Sequence, residues 1–444
     1  MTSKIGKRFL SCALGRRASW QRKRWKILRI QLFCPLLCVV MALFACTHPA
    51  DGKTATGSKE PNNMFDTAAV DYPTRFANYQ RNAHCPASPG SQVKCAWARK
   101  LSDDFDVHLN PTAVLVNGDY IGVQSSQHLL VYQSPGLFLF MAPLSENSAV
   151  IFGASAFSCF NTAQLLQYRD YAGNPLLKDV TVPGYEQWAV MLLFKPEEKQ
   201  YLSVAQFTGG PMHREGPRPE KRYAVYRQPT QDFFPVWSHD QAGDITHALL
   251  NSDGQKLVLL HAAQNESGTG RVEVIKTNGG EVASTFDIDL AHVDSAALDA
   301  VGHLLIVGRG KKGQGDRSFI RAMDLTGKAL WHHELQRPLG HQPPACNTDG
   351  RVFVLTENGV VCLKEGRRQW VYPGKTDRYA WVTTLNDNRL LLIHGGHLIL
   401  IDENGEAAFK TRIGVQDEQF GAPAAVDRNG RIYIASSQKL YCFE

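Results

Sequence analysis

The ten cysteines of this 444-residue chain carry its most distinctive side-chain chemistry, and their spacing limits what they can bind. Beyond residue 46 no two cysteines are adjacent, and no Cys-x-x-Cys pair occurs. Structural zinc sites and redox dithiols need clustered ligands of that kind. Cys159, Cys346, Cys362 and Cys442 lie in apolar, strand-like segments, where cysteine packs as a small hydrophobic residue. The pattern therefore predicts buried thiols and no metal site.

Cys85 and Cys95 differ from the others, because they bracket the polar segment 86–94 outside the apolar strands. In an oxidising compartment two such cysteines can form a disulfide that pins the strand after them. A Cys85–Cys95 disulfide is therefore one prediction, and two separate thiols are the alternative.

Two further stretches have the residue types of a ligand site without its pattern. His394-Gly395-Gly396-His397 lies where two strands turn, and histidines on a turn are usually solvated. Residues 308–317 (GRGKKGQGDR) are rich in glycine and lysine but lack the order of a phosphate-binding loop. They also join two strands and not a strand to a helix, so a hairpin loop is expected.

The elements that must position these residues repeat along the chain. A glycine turn is followed four residues later by a large aromatic residue at Gly327/Trp331, Gly366/Trp370 and Gly405/Phe409. Both intervals between these aromatics are 39 residues. A period near 40 with several short strands per unit is typical of a β-propeller.

Tracing the repeat backwards predicts an all-β, eight-bladed propeller, with seven blades as the alternative if two units in 145–200 merge. The last unit, from about Phe420, has only three strands before the chain ends. Residues 94–101, with Trp97, are expected to supply its fourth strand and close the ring. Seven aromatic residues are predicted to dock neighbouring blades: Trp97, Phe140, Trp237, Phe286, Trp331, Trp370 and Phe409.

The amino-terminal region reads as an export signal. Residues 1–29 are basic, and 30–45 form an apolar run that is too short to span a bilayer but suits a signal peptide. Leu43-Phe44-Ala45-Cys46 resembles the lipobox of bacterial lipoproteins, which implies that 1–45 is a signal peptide and that Cys46 carries lipid. Thr47 favours the outer membrane by the same resemblance. A plain signal peptide or an uncleaved anchor is the alternative.

The domain boundaries follow from composition. Residues 46–84 are expected to form a flexible tether, although 64–84 contain aromatic residues that could pack on the domain. Residues 85–444 are predicted to form the propeller. Ten of the 48 basic residues lie in 1–45, which leaves 38 basic against 42 acidic residues. This balance argues against nucleic-acid binding.

The Asp-x-x-Gly-x-x-x-Trp phrase resembles the quinoprotein-type (PQQ-like) propeller repeat family. With the lipobox in front, the chain resembles the BamB family of lipoproteins in the outer-membrane protein assembly machine. The resemblance implies a monomeric, non-enzymatic scaffold without a cofactor, tethered by lipid on the periplasmic side of the outer membrane of a Gram-negative bacterium. It implies a protein partner there. A quinone- or small-molecule-binding propeller is the main alternative, and a sensor or adhesion propeller is another.

Long loops between second and third strands are the candidate docking elements, because they emerge on one face. They are Thr208–Arg222, His261–Arg271 and Gly308–Ser318. Two of the three are basic, with Arg214 and Arg218 in the first and Lys311 and Lys312 in the third. They are predicted to dock an acidic partner surface. Tolerated insertions at loop tips are the alternative.

Overall fold

The computed structural model describes residues 85, 87–90, 93–101, 109–144, 150–153, 155–160, 165–181, 191–195, 200–208, 221–228, 235–241, 245–262, 270–310, 317–414 and 418–444. The leader, the tether with Cys46, and the loop residues Arg214, Arg218, Lys311 and Lys312 lie outside these ranges.

The described residues form strands and turns and contain no α-helix. Their strands make eight four-stranded antiparallel sheets. The first four sheets are β2 (Pro111–Asn117), β3 (Tyr120–Ser125), β4 (His128–Gln133) and β5 (Leu137–Pro143); β6 (Ile151–Phe152), β7 (Ala156–Phe160), β8 (Leu165–Asp170) and β9 (Val180–Thr181); β10 (Met191–Lys195), β11 (Gln200–Thr208), β12 (Lys221–Gln228) and β13 (Pro235–Gln241); and β14 (Ile245–Leu250), β15 (Lys256–His261), β16 (Gly270–Lys276) and β17 (Val282–Ile288).

The next three sheets continue in chain order, and the last one takes a strand from the amino-terminal part of the chain. They are β18 (His292–Leu298), β19 (Leu304–Arg309), β20 (Ser318–Met323) and β21 (Ala329–Leu335); β22 (Ala345–Cys346), β23 (Arg351–Thr356), β24 (Gly359–Lys364) and β25 (Arg367–Pro373); β26 (Trp381–Thr384), β27 (Leu390–His394), β28 (His397–Ile401) and β29 (Ala407–Arg412); and β30 (Ala425–Val426), β31 (Ile432–Ala435), β32 (Lys439–Phe443) and β1 (Cys95–Lys100).

The position of a strand in its sheet explains its sequence pattern. Central strands such as β27 and β28 are almost wholly apolar and buried, because neighbouring sheets cover both of their faces. The fourth strands β21, β25 and β29 alternate between exposed and half-buried residues, because each forms the outer edge of its sheet. This all-β arrangement of four-stranded sheets is that of a β-propeller.

Strand β1 completes the last sheet, as the sequence predicts. Trp97 lies opposite Cys442, and Ala98 opposite Tyr441. Lys94 and Glu444 exchange two backbone hydrogen bonds of 2.8 and 3.0 Å, and the Leu101 N–H donates to the Gln438 carbonyl at 2.7 Å. The edge of β32 is therefore paired and not exposed.

The hydrophobic core lies between sheets. Leu305 and Val307 of β19, for example, belong to one buried cluster with Val352 and Val354 of β23. Such clusters join successive sheets, so each sheet is stabilised mainly by its neighbours.

One predicted element is displaced. The sequence places the fourth strand of the second sheet near Leu177, by the glycine-plus-four spacing from Gly173. In the structure this strand is β9, Val180–Thr181, and it pairs with Leu165 and Leu166. The intervening segment first turns back on β8, where Pro175 bridges to Arg169, so the outer strand begins later.

Among the described residues no helix is long and apolar enough to cross a membrane.

Candidate protein-interaction surface

The predicted docking aromatics meet the turn glycines of the following sheet. A Cβ placed on Gly366 would lie 3.0 Å from Trp331, and one on Gly405 would lie 2.6 Å from Trp370. The same arrangement brings together Gly136 and Trp97, Gly173 and Phe140, Gly280 and Trp237, and Gly327 and Phe286. These glycines have positive φ and no side chain, which lets the aromatic ring lie against the backbone of the turn.

Hydrogen bonds accompany some of these contacts. The Trp370 indole N–H donates to the Glu403 carbonyl at 3.0 Å, and that of Trp237 donates to the Thr277 carbonyl at 3.1 Å. Phe409 packs on the cluster that contains the last sheet. The fourth strand of that sheet is β1, which comes from the amino-terminal part of the chain and not from a hairpin turn after β32. The aromatic residues therefore stabilise the packing of neighbouring sheets, from which the surface loops emerge.

Four of the five cysteines in the sheets are buried, and the exposed one is Cys95 in β1. Burial raises the pKa of the Cys159, Cys362 and Cys442 thiols to about 12, and that of Cys346 well above its ordinary value. Thiols of this kind are poor nucleophiles and poor metal ligands at neutral pH. Among the described residues no group of three His, Cys, Asp or Glu side chains could hold a metal ion.

The predicted Cys85–Cys95 disulfide is absent from the structure. The buried Cys85 Sγ donates to the Val426 carbonyl at 3.3 Å, whereas the exposed Cys95 Sγ donates to the Trp97 carbonyl at 3.4 Å. The Cys85 N–H also binds the Thr384 carbonyl at 2.8 Å. The segment from 85 therefore begins at the ends of β26 and β30, and Cys95 starts the outer strand β1. Sequence alone could not reveal these contacts with residues about 300 positions away.

His394 and His397 face each other across the β27–β28 turn. Burial lowers the pKa of His394, and the His397 Nδ1 atom lies 2.9 Å from the Gly395 carbonyl oxygen. The His397 ring is thus hydrogen-bonded within the turn itself, as expected of a structural hairpin.

Of the predicted docking loops, the structure describes mainly the ends. Arg309 lies 3.6 Å from Asp294, and Arg317 lies 3.5 Å from Glu334. These two cations flank residues 311–316, and the next strands place Ser318 directly opposite Leu335. The carboxyl end of the loop therefore lies beside the start of the β21–β22 linker.

A groove lies next to the end of β21, and the sequence did not predict it. Three segments at one end of the sheet β22–β25 form it: the linker 336–344, the β23–β24 turn and the linker 374–380. Its main lining residues are Arg337, Leu339, Glu357, Asn358, Lys375, Thr376, Asp377, Arg378 and Tyr379. The two linkers are short, and they carry only one and three charged residues, so neither length nor composition singled them out.

Backbone hydrogen bonds fix the three segments to one another. The Glu357 N–H donates to the Arg337 carbonyl at 3.0 Å, and the Leu339 N–H donates to the Leu355 carbonyl at 2.9 Å. On the other side the Thr376 N–H donates to the Glu357 carbonyl at 3.0 Å, and its hydroxyl donates to the Thr356 carbonyl. The groove is thus built on the hairpin and does not depend on side-chain packing alone.

Arg337 has a φ of 46°, in the left-handed region that non-glycine residues rarely adopt. Such a conformation costs about 1 kcal/mol or more. Its side chain is 80% exposed and its guanidinium lies 3.1 Å from Glu357. The Arg378 guanidinium donates to the Tyr379 hydroxyl at 2.7 Å and lies 4.9 Å from that ring's centroid. Neither Lys375 nor Arg378 makes an ion pair within the described part of the chain, so the groove keeps positive charge.

Comparison with solved structures identifies the fold. BamB from Moraxella catarrhalis superposes with a TM-score of 0.52 and 13% sequence identity, covering 80% of this chain and 98% of that one. The quinohemoprotein alcohol dehydrogenase from Comamonas testosteroni gives 0.59 and 10%, covering 86% and 81%. A europium-containing methanol dehydrogenase gives 0.58 and 9%, covering 84% and 98%. This chain shares the β-propeller fold of these proteins. The resemblance predicted from the repeats is thereby confirmed at the level of the fold.

No family model matches the sequence, and no curated protein is significantly similar to it. These likenesses concern architecture and carry no residue roles, because all identities are below 25%.

Proposed function

We propose that the chain is a lipid-anchored, closed, eight-bladed propeller that acts as a non-enzymatic scaffold at the periplasmic side of the outer membrane. In this proposal it binds partner proteins and serves outer-membrane protein assembly in the manner of BamB. The observation that carries the proposal is the Leu43-Phe44-Ala45-Cys46 sequence in front of a propeller with the fold of BamB. Cys46 would tether the domain by lipid through residues 46–84 without spanning the bilayer.

The described surface is better suited to binding a protein than to catalysis. Four of the five cysteines in its sheets are buried, whereas its loops carry exposed charge around a groove with fixed backbone. Charged rims of this kind act mainly on association rate and orientation. The proposed function therefore predicts salt-sensitive capture of a partner protein.

The first experiment tests location and partner together. The Cys46→Ser variant is expected to leave the membrane fraction, while the wild-type chain is recovered with outer membranes. Crosslinking of the wild-type chain in those membranes, with identification of the product, is expected to yield an assembly component. Recovery of Cys46→Ser in the same membranes, or no crosslinked assembly protein, would refute the proposal.

The predicted basic loops belong to the same proposal. Neutralising Arg214, Arg218, Lys311 and Lys312 together by glutamine is expected to slow partner capture and to flatten its salt dependence. If capture and its salt dependence are unchanged, these loops do not dock the partner, although another surface could still do so.

A quinone-binding propeller is the second candidate, because two dehydrogenases share the fold with TM-scores of 0.59 and 0.58. The absorption spectrum of the purified protein separates the two candidates. A bound quinone would add absorbance beyond that of tyrosine and tryptophan, and titration with pyrroloquinoline quinone would restore it after removal. The scaffold proposal expects neither a coloured protein nor saturable quinone binding.

A further inference from the structure

We propose that the groove between linkers 336–344 and 374–380 is a binding site for an extended acidic segment of a partner protein. The inference rests on the proposed scaffold function and adds a site to it. The groove lies at the end of the sheet β22–β25 from which the β23–β24 turn and both linkers emerge.

The charges of the groove favour an anionic occupant. Arg337 shares its charge with Glu357, but Lys375 and Arg378 have no carboxylate partner among the described residues. Tyr379 holds the Arg378 guanidinium in place through its hydroxyl and its ring. The Asp377 carboxylate pairs with neither cation and accepts a hydrogen bond from the Tyr379 backbone N–H at 2.9 Å. An incoming carboxylate would therefore find two cations without a carboxylate partner, and the position of one of them, Arg378, is already restricted by Tyr379.

The backbone argues for a peptide and against a phosphate. Phosphate sites are usually built from several unpaired backbone N–H groups pointing into one space. Here the N–H groups of Leu339, Glu357, Gly374 and Thr376 all donate to carbonyls of the neighbouring segment. Cations three residues apart on one linker suit carboxylates spaced along an extended chain better than a single compact anion.

The surroundings also argue against a lipid surface as the occupant. Insertion into a membrane interface needs exposed apolar side chains beside the cations. The groove offers only Leu339 and Tyr379 of this kind, and both are half-buried.

The groove continues the predicted docking sector along the rim. Ser318, at the end of the β19–β20 loop, pairs with Leu335, and Arg337 follows two residues later. The groove therefore begins next to the carboxyl end of that loop.

The test uses the full-length chain in detergent micelles and a fluorescein-labelled peptide of alternating glutamate and serine. Fluorescence anisotropy is expected to show binding that weakens with added salt and is absent for the glutamine–serine counterpart. The Lys375→Gln/Arg378→Gln variant should bind about five- to tenfold more weakly, as expected for the loss of two exposed charge pairs. The matched control is Arg367→Gln/Arg368→Gln, which removes the same charge at the opposite end of the sheet and should change binding less than about twofold.

The outcomes separate the alternatives. The inference is refuted if both double variants bind the peptide like the wild type, or if the two lose affinity equally. It is also refuted if inorganic phosphate displaces the labelled peptide at the same concentrations as unlabelled glutamate peptide does. Binding of anionic vesicles at the groove without binding of the peptide would refute it as well. An unchanged unfolding midpoint in both variants excludes misfolding as the cause of any loss.

Failure here is distinguishable from failure of the proposed function. If Lys375→Gln/Arg378→Gln leaves membrane crosslinking to the partner intact, the groove assignment falls and the scaffold proposal stands. If the wild-type chain has no partner in membranes, the scaffold proposal falls whatever the peptide result.

Discussion

Replacing Gly405 by alanine should cost more stability than the same replacement at Gly302, although the two turns are nearly identical. Gly405 has φ +86° and Gly302 has φ +89°. Each donates its N–H at 3.1 Å to the backbone carbonyl of the aspartate three residues earlier. A Cβ on Gly405 would lie 2.6 Å from the Trp370 ring, whereas one on Gly302 would meet nothing within 4 Å. The pair therefore separates the docking contact from backbone strain.

The magnitudes follow from these two terms. Alanine at such a φ costs about 1–2 kcal/mol at either position. Displacing a ring from a packed contact adds about 1–3 kcal/mol at Gly405 alone. Gly302→Ala should therefore lower the free energy of unfolding by about 1–2 kcal/mol, and Gly405→Ala by about 2–5 kcal/mol.

Urea unfolding followed by tryptophan fluorescence measures the difference, provided that the m-values of the variants agree. In a Trp370→Ala background the extra cost at Gly405 should disappear, because the clashing ring is gone. Equal costs at the two glycines, or an extra cost that survives without Trp370, would refute the docking argument.

Three other predictions concern the ring closure, the thiols and the ion pair between Asp387 and Arg389. Trp97→Ala should destabilise the protein by less than the about 3–5 kcal/mol of a fully buried tryptophan, since Trp97 is half-buried, and unfolding midpoints measure this. Iodoacetamide should label Cys95 in the native protein, and the cysteines buried in the sheets only after unfolding, as peptide mass mapping would record. Burial tends to raise the pKa of Asp387, but its hydrogen bond and ion pair with Arg389 outweigh this and lower it. The folded pKa thus lies below the unfolded value, so this stabilisation is present above about pH 4 and is lost as pH falls through the folded pKa. Asp387→Asn should accordingly destabilise at neutral pH and not at strongly acid pH; a constant difference across pH would contradict this.

The sequence predicted the sheets well where one local signal repeats. The turn glycine and the aromatic residue recur because a ring that lies against the next turn needs a residue without a side chain there, as at Gly366 and Trp331. The missing fourth strand of the last unit, together with the tryptophan expected in such a strand, located Trp97 and hence the closing strand β1, although β1 lies 339 positions or more from its partners. Where the glycine is followed by an irregular turn, at Gly173, the rule placed the next strand too early.

The candidate site was predicted less well, because its features depend on contacts between distant segments. The Cys85–Cys95 disulfide was wrong, since the partner of Cys85 is the Val426 carbonyl. The groove was missed because Arg337 and Lys375 come together only through the hairpin between them, at Glu357. The left-handed conformation of Arg337 has no sequence signal either.

Hydrogen exchange of β1 tests the central structural claim most directly, which is that residues 94–101 complete the last sheet. Mass spectrometry would follow peptides covering 94–101 and 438–444, with the outer strand β21 as the matched reference. The account predicts that 94–101 exchanges as slowly as β21, because both are fourth strands paired on one side. Exchange of 94–101 at the rate of an unstructured peptide, with 438–444 equally unprotected, would contradict the closed ring and the scaffold built on it.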